Sequence, residues 1–245
     1  MHPALRDFAP ELVIFDKDGT LLDFAAMWGG WALDLARRLE QAAGLPLLER
    51  LGAALGFDPR DGAPIPEGPL AVESMAALRL YAAAALADAG LPPARAEELI
   101  AALWTAPDPV ALARPLADLP ALFGGLRAAG VRVAIATADD RAPTEATLAR
   151  LGLAALVDRI ACADDGLPPK PDPAMVLRLC AELGIPPART ALVGDSLTDM
   201  RMGRAAGVGL LIGVTSGTAH PEALRQIADL VLPSVAALLA PESGQ

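Results

Sequence analysis

Short runs of consecutive apolar residues alternate along much of the chain with segments in which apolar residues recur every third or fourth position. The first run, Leu12 to Phe15, predicts a strand that is buried on both faces and ends directly before Asp16. Later runs predict five further strands, at 131–137, 159–162, 190–195, 208–214 and 230–232. Predicted helices separate these strands, an order that is typical of an α/β fold with a parallel sheet covered on both faces.

The segment between the first two predicted strands has helical periodicity only. It predicts one helix through Trp31, Leu35 and Leu39 that ends near Gly44, a second from Val72 to Ala89, and a third from Pro93 to Trp104. A stretch rich in proline and glycine, 58–69, predicts a loop between the first two helices. We therefore interpret residues 22–114 as an inserted all-helical cap domain, and residues 1–21 with 115–245 as an α/β catalytic core.

Polar residues follow several of the predicted strands at the point where each strand ends. Asp16 and Asp18 follow the first strand, Thr137 ends the second, and Asp195 ends the fourth. Lys170 lies in a proline-rich loop after the third. Because parallel strands bring their carboxyl ends to one edge of the sheet, we expect these groups to meet in one crevice. Each alone is ordinary: a turn acid, a strand-end threonine or a solvated lysine.

Composition narrows the kinds of partner that the protein can have. The chain carries 30 Asp and Glu against 20 Lys and Arg, a formal net charge of −10. This charge repels nucleic acid and anionic lipid, so neither is expected as a partner. Cys162 and Cys180 lack metal-ligand spacing and are predicted to be buried free thiols. Without a signal peptide or a membrane-length apolar run, we expect a soluble cytoplasmic protein.

The polar residues at the strand ends resemble the motifs of the haloacid dehalogenase-like (HAD) hydrolase superfamily. The resemblance rests on four motifs in the family's order: Asp16-x-Asp18-Gly19-Thr20, Thr137, Lys170 before Pro171, and Gly194-Asp195-Ser196-x-x-Asp199. It implies a Rossmann-like parallel sheet core with a helical, C1-type cap, as in the phosphoglycolate phosphatase-like branch. It further implies a phosphatase that acts on a small phosphorylated metabolite, as a monomer or a homodimer.

Converging carboxylates without a cation would repel one another and raise each other's pKa, so we expect a hard divalent ion between them. Oxygen ligands suit Mg²⁺, and we expect Asp16, Asp195 and the backbone carbonyl of Asp18 to ligate it. The resemblance implies that Asp16 is the nucleophile and forms an aspartyl-phosphate. It also implies that Asp18 protonates the leaving alcohol and then activates water.

The remaining motif residues receive supporting roles. Lys170 is expected to neutralise charge during catalysis and to bind the substrate phosphate together with Thr137 and Ala138. Asp199 and Ser196 are expected to lie just outside the ligands, with Asp199 orienting Lys170 or a water on the ion.

Several other polar residues are expected to take no part in the chemistry. Lys17 should point away from the side of Asp16 and Asp18 if strand alternation continues through it. We expect His220 to be structural or exposed. Cap or turn roles are expected for four acids: Asp139, Asp140, Asp164 and Asp165.

Three other functions remain open from the sequence. A dehalogenase would need neither Asp18 nor a metal. A sugar-phosphate mutase of the β-phosphoglucomutase type would keep the phosphate on Asp16 and return it to the sugar. A non-catalytic phosphate-binding regulatory protein would not require Asp18. Substrate choice is expected to reside in the cap, with five candidate contact residues: Trp28, Trp31, Arg60, Glu73 and Arg79.

Overall fold

Each strand predicted from an apolar run is present in the computed structural model, which describes residues 2–73, 75–105 and 107–239. The strands are β1 (Leu12–Phe15), β2 (Arg132–Ala136), β3 (Arg159–Ala161), β4 (Thr190–Gly194), β5 (Leu210–Val214) and β6 (Leu230–Leu232). They pair in parallel in the order β3-β2-β1-β4-β5-β6. All four residues of β1 are buried because β1 lies in the interior of the sheet. The predicted α/β class is therefore confirmed.

The position of β1 determines where a ligand can bind. β1 pairs with β2 on one side and with β4 on the other, so the strand order changes direction between β1 and β4. Phe15 pairs with both Ile135 and Val193, and the residues that follow these three strands leave the sheet side by side. Open α/β sheets bind ligands in the crevice beyond the carboxyl ends of the strands at such a point.

Helices account for most of the remaining described chain. They are α1 (Pro3–Phe8), α2 (Gly30–Ala43), α3 (Leu48–Leu55), α4 (Pro69–Val72), α5 (Met75–Asp88), α6 (Pro93–Leu103), α7 (Pro109–Leu112), α8 (Leu119–Ala128), α9 (Arg141–Arg150), α10 (Ala174–Leu183), α11 (Leu197–Ala206) and α12 (Pro221–Arg225). A π-helical turn, Ala25–Gly29, precedes α2, and three short 3₁₀ turns lie at Ala163–Asp165, Pro187–Arg189 and Val235–Leu238. Among the described residues, no helix has both the length and the apolarity needed to cross a bilayer.

The chain divides into two units, and the first contains the sheet. This unit comprises Met1–Asp23 and Pro109–Gln245. One face of its sheet packs on α10 and α11 through Ile14, Leu192, Val176 and Met200, all of which are buried. Burial of this kind contributes about 1.5 to 3 kcal/mol per large apolar side chain. Such packing gives the strand ends a rigid base.

The second unit, Phe24–Asp108, is helical and has its own apolar core. The helix predicted through Trp31 is α2, and it ends where Gly44 adopts a left-handed φ of +66°. The long helix predicted from Val72 to Ala89 is instead α4 followed by α5, and Ser74 between them lies outside the described residues. The short helix α3 was not predicted from the sequence.

A buried carboxylate holds the outer edge of the sheet to the helices beside it. Asp165 accepts hydrogen bonds from the backbone N–H of Cys162 at 2.9 Å, from Arg141 at 2.8 Å and from Arg178. Burial alone would raise the pKa of Asp165, but these three donors outweigh burial and lower it to about 2. Asp165, which was expected to be only a cap or turn residue, therefore also connects Cys162 to Arg141 and Arg178 in the folded structure.

We expect Asp165→Asn to lower the free energy of unfolding at neutral pH by about 1 to 2 kcal/mol, because a depressed carboxylate pKa stabilises the folded state above the unfolded pKa of about 3.9. The contribution is lost as the pH falls from there towards the folded pKa. Urea denaturation of both proteins between neutral pH and pH ~3 measures the difference, which should narrow on acidification. A difference that stays constant across this range would contradict the ion-pair explanation.

Candidate active site

Asp16 stands at the centre of the crevice, directly after β1. Its backbone N–H donates to the carbonyl of Val193 at 2.9 Å, which fixes the residue beside β4. Lys170 reaches the same place from the loop before α10, where its peptide bond to Pro171 is cis. The Lys170 Nζ lies 2.5 Å from Asp16 Oδ1 and 2.7 Å from Asp199 Oδ1. One buried ammonium group therefore joins two carboxylates from different strand ends.

Asp195 follows β4 and is held in place by two threonines. Its Oδ1 accepts a hydrogen bond from Thr20 Oγ1 at 3.1 Å. Its Oδ2 accepts from both the backbone N–H and the hydroxyl of Thr218, at 2.8 and 3.1 Å. Sequence reasoning assigned no role to either threonine. Thr20 belongs to the first motif, whereas the signal for Thr218 is a polar Thr-Ser-Gly-Thr stretch directly after β5.

Two glycines allow the backbone to approach Asp195 closely. A Cβ atom on Gly19, whose φ is +85°, would lie 2.5 Å from Asp195 Oδ2. A Cβ atom on Gly217 would lie only 1.9 Å from the same oxygen. Any side chain at position 217 would therefore displace this carboxylate.

Asp199 is oriented by the start of α11. Ser196 and Asp199 form a reciprocal capping box, in which Asp199 N–H donates to Ser196 Oγ at 3.1 Å. In return, Asp199 Oδ2 accepts from the Ser196 hydroxyl at 2.6 Å and from its backbone N–H at 3.2 Å. The other oxygen, Oδ1, is thereby aimed at Lys170.

Asp16, Asp195 and Asp199 together form a buried oxygen-rich cluster. Each offers a carboxylate oxygen, and these atoms lie within 4.8 Å of one another. Burial raises the pKa of Asp16 well above its ordinary value, with Asp199 and Asp195 adding to the rise and Lys170 opposing it. Burial and Asp199 raise the pKa of Asp195 to about 6. The Lys170 ammonium group therefore compensates only part of the negative charge of the three carboxylates. A cluster of hard oxygen donors that carries an excess of negative charge fits a divalent cation.

Thr137 and Ala138 lie at the same edge of the sheet, directly after β2. The Thr137 N–H donates to the carbonyl of Ala161 at 2.9 Å, and its hydroxyl accepts from the Asp139 N–H at 3.1 Å. Thr137 is buried, whereas Ala138 is exposed. This turn lies directly ahead of the N-terminus of α9, a position that is suited to an anion.

The orientation expected for Lys17 is wrong. Its Nζ lies 2.6 Å from Asp18 Oδ1 and 2.9 Å from Asp139 Oδ2, and its side chain is 2% exposed. Strand alternation does not reach this residue, because β1 ends at Phe15 and the backbone then turns so that two later N–H groups donate to the Lys17 carbonyl. Asp139, expected to be a turn residue, consequently forms an ion pair as well.

Several residues that were expected to take no part in the chemistry have structural or exposed positions. Both Cys162 and Cys180 are buried free thiols, as predicted. Asp164 accepts a hydrogen bond from the backbone N–H of Arg141, and His220 is exposed directly before α12. Asp140 is exposed at the start of α9.

The five candidate specificity residues belong to the helical unit. Trp28 and Trp31 pack against its apolar core, with their ring centroids 6.5 Å apart. Arg60 pairs with Asp58, while Glu73 accepts a hydrogen bond from the Tyr81 hydroxyl at 3.3 Å. Arg79 is exposed.

The sequence model of the haloacid dehalogenase-like hydrolase family matches residues 10–207 of the chain. The chain is 34% identical to a phosphoglycolate phosphatase of Rhodospirillum rubrum, over 83% of this chain and 79% of that protein. It is 30% identical to an N-acetylmuramic acid 6-phosphate phosphatase of Pseudomonas aeruginosa, over 86% of this chain and 84% of the relative.

Solved structures with the same fold include two of similar length. A HAD family hydrolase of Deinococcus radiodurans, solved with bound phosphate and sodium, superimposes with a TM-score of 0.68 and 23% identity, covering 93% of each chain. A candidate β-phosphoglucomutase of Thermotoga maritima superimposes with a TM-score of 0.64 and 21% identity, covering 94% of this chain and 96% of the other.

We expect Gly217→Ala to weaken activation by a divalent cation about 10- to 100-fold, because the added methyl group must displace Asp195 and its threonine partners. The measurement is the metal concentration that gives half-maximal phosphate release. Gly124→Ala in α8 is the matched control, since a Cβ atom there meets nothing within 4 Å. Equal metal dependence of the two variants would exclude a role for this close approach.

Proposed function

The chain belongs to the haloacid dehalogenase-like hydrolase family, in its phosphoglycolate phosphatase-like branch, and is a phosphatase; from this membership we propose that it hydrolyses a small phosphorylated metabolite with Mg²⁺. The observation that carries the proposal is the Lys170 ammonium between Asp16 and Asp199, beside Asp195, in one buried crevice. The two sequence relatives described above are both named as phosphatases of small phosphate esters, which supports the same substrate class.

Asp16 acts as the nucleophile in this proposal. Its carboxylate attacks phosphorus, an aspartyl-phosphate forms, and the bond from phosphorus to the ester oxygen breaks. Lys170, bound to Asp16 Oδ1, compensates negative charge as the phosphoryl group transfers. Phosphate monoesters hydrolyse extremely slowly in water, so an enzyme must raise the rate by up to ~10²¹-fold. General acid–base catalysis raises a rate by only ~10² to 10⁴-fold. Compensation of negative charge must therefore contribute more of the rate enhancement than proton transfer.

Asp18 acts as the acid and then as the base. It donates a proton to the leaving ester oxygen, and it then takes a proton from the water that hydrolyses the aspartyl-phosphate. The Thr137 hydroxyl and the N–H groups of the turn that contains Ala138 bind the phosphoryl oxygens.

Asp16, Asp195 and the backbone carbonyl of Asp18 would hold Mg²⁺, which when bound neutralises charge on the phosphate and the carboxylates. Asp199, fixed by its capping box with Ser196, orients Lys170. The oxygen donors and the raised pKa values of Asp16 and Asp195 support this assignment.

The helical unit sets substrate choice in this proposal. We assign residues 22–114 as the cap and residues 1–21 with 115–245 as the catalytic core, bounds that lie close to the two units of the structure. Three exposed polar residues of the cap, Arg60, Glu73 and Arg79, are its candidate substrate contacts. We place this activity in the cytoplasm, in a monomer or a homodimer.

We expect the wild-type protein to release inorganic phosphate from one or more members of a broad panel of phosphorylated metabolites. Asp16→Asn should release none above background, because the amide cannot attack phosphorus. Thermal unfolding of the variant serves as the control for folding. Phosphate release by folded Asp16→Asn would remove the nucleophile assignment.

The mutase alternative is tested in the same panel. β-Glucose 1-phosphate with a bisphosphate activator should give free phosphate rather than the isomerised sugar phosphate. Formation of glucose 6-phosphate without phosphate release would establish a mutase instead.

Chelation should stop turnover, and Mg²⁺ should restore it. We expect excess EDTA to reduce phosphate release by at least ~10³-fold, since the buried carboxylates then lack their main compensating charge. Ca²⁺ is the matched ion, because its larger and more flexible shell should bind without supporting comparable turnover. Full activity in chelator would contradict the metal requirement.

A further inference from the structure

Lysine occurs in this chain at only two positions, 17 and 170, whereas the other 18 of its 20 basic residues are arginine. Both lysines are buried at the active site, with side chains 2% and 7% exposed. Lys170 binds Asp16 and Asp199. Lys17 forms the second such centre, and the mechanism described above gives it no task.

Lys17 joins the loops that follow two adjacent strands. Its Nζ is 2.6 Å from Asp18 Oδ1, in the loop after β1, and 2.9 Å from Asp139 Oδ2, in the turn after β2. The backbone N–H of Asp139 in turn donates to the Thr137 hydroxyl at 3.1 Å. The ion pairs thus connect the proposed acid to the turn that is proposed to bind phosphate.

A compact ammonium group suits this position better than a guanidinium group. The lysine ammonium nitrogen carries three hydrogen-bond donors and can bind two carboxylates at short distance. The guanidinium group of arginine is larger and planar, and it typically binds a single carboxylate through two parallel hydrogen bonds. Without a cation at position 17, Asp18 and Asp139 would face each other as like charges, with side chains only 15% and 26% exposed. The carboxyl group of Asp18 would then turn away from its present direction.

We propose that Lys17, braced by Asp139, is a positioning residue that binds Oδ1 of Asp18 and so directs Oδ2 of Asp18 at the substrate. The inference rests on the proposed acid and base role of Asp18. When phosphorus leaves the ester oxygen, the proton on Oδ2 passes to that oxygen. When water attacks the aspartyl-phosphate, a water proton returns to Oδ2 as the bond from Asp16 to phosphorus breaks.

Leaving-group dependence separates this role from a general loss of structure. An alkoxide leaving group must be protonated, whereas p-nitrophenolate leaves without a proton. We expect Lys17→Met, which keeps most of the length of the side chain but removes the ammonium group, to lower kcat/KM for an alkyl phosphate about 10² to 10³-fold and for p-nitrophenyl phosphate less than about 10-fold. The ratio kcat/KM is the measure because it includes phosphoryl transfer to Asp16 but not the later hydrolysis of the aspartyl-phosphate, which both substrates share. Asp18→Asn should give the same pattern.

A double variant tests whether Lys17 acts through Asp18. Because a positioning residue has no effect once its target is gone, Lys17→Met combined with Asp18→Asn should be no slower on the alkyl phosphate than Asp18→Asn alone. A further loss equal to that of Lys17→Met in the wild type would overturn the proposal. The proposal would also be overturned if Lys17→Met lowered kcat/KM equally for the two substrates.

Asp139→Asn provides a second test that leaves Lys17 in place, should Lys17→Met fail to fold. We expect a smaller loss of kcat/KM, about 3- to 10-fold, confined to the alkyl phosphate. Asp140→Asn is the matched control, since it removes the same charge from the next residue, which is exposed. Equal effects of the two substitutions would overturn the bracing role.

Nitrogen-15 labelling of lysine gives a readout besides activity, because the chain contributes only two ammonium signals. Asp139→Asn should shift the Lys17 signal and hasten its hydrogen exchange, while the Lys170 signal stays in place. An unchanged Lys17 signal would overturn the contact.

The two levels of proposal fail in distinguishable ways. If the wild type hydrolyses neither phosphate ester, the proposed function fails and the positioning role fails with it. The other case is an active wild type in which Asp18→Asn loses more kcat/KM on the alkyl phosphate than on p-nitrophenyl phosphate, while Lys17→Met does not. In that case only the positioning role of Lys17 is refuted.

Discussion

The crevice proposed as the active site depends on the compensation of buried negative charge. Five carboxylates, from Asp16, Asp18, Asp139, Asp195 and Asp199, meet two ammonium groups at the carboxyl edge of the sheet. Burying a charge is costly unless it is paired, and here the cations are fewer than the anions. Burial, together with the neighbouring carboxylates, raises the pKa of both Asp16 and Asp195. The same excess of oxygen donors suits a divalent cation.

Much of this arrangement could be predicted because it follows from strand order. The apolar run of β1 and the acid that follows it specify a buried strand that ends at a ligand site, and parallel pairing brings Thr137 and Asp195 beside it. The capping box of Ser196 and Asp199 is likewise local in sequence. Such features need only periodicity and a knowledge of where parallel strands end.

The features that sequence reasoning missed depend on contacts or on weak local signals. The expected orientation of Lys17 assumes that strand alternation continues to it, but β1 ends two residues earlier, at Phe15. Thr218 reaches Asp195 from a loop more than twenty positions away, and no periodic pattern indicates that approach. The helices α1 and α3 are short, and Leu5 is the one residue of α1 that is buried. A helix of this length is formed by packing rather than by propensity.

Confinement of lysine to the two buried positions has a consequence for covalent chemistry on this chain. Apart from histidine, the basic side chains that are exposed in the described part of the chain are all arginines, whose guanidinium groups do not react as amines do at neutral pH. No lysine on the exposed surface can therefore be acetylated, methylated or carbamylated without an effect on the proposed site. Any such modification of either side chain would fall inside the proposed catalytic crevice and remove a charge or a hydrogen bond there.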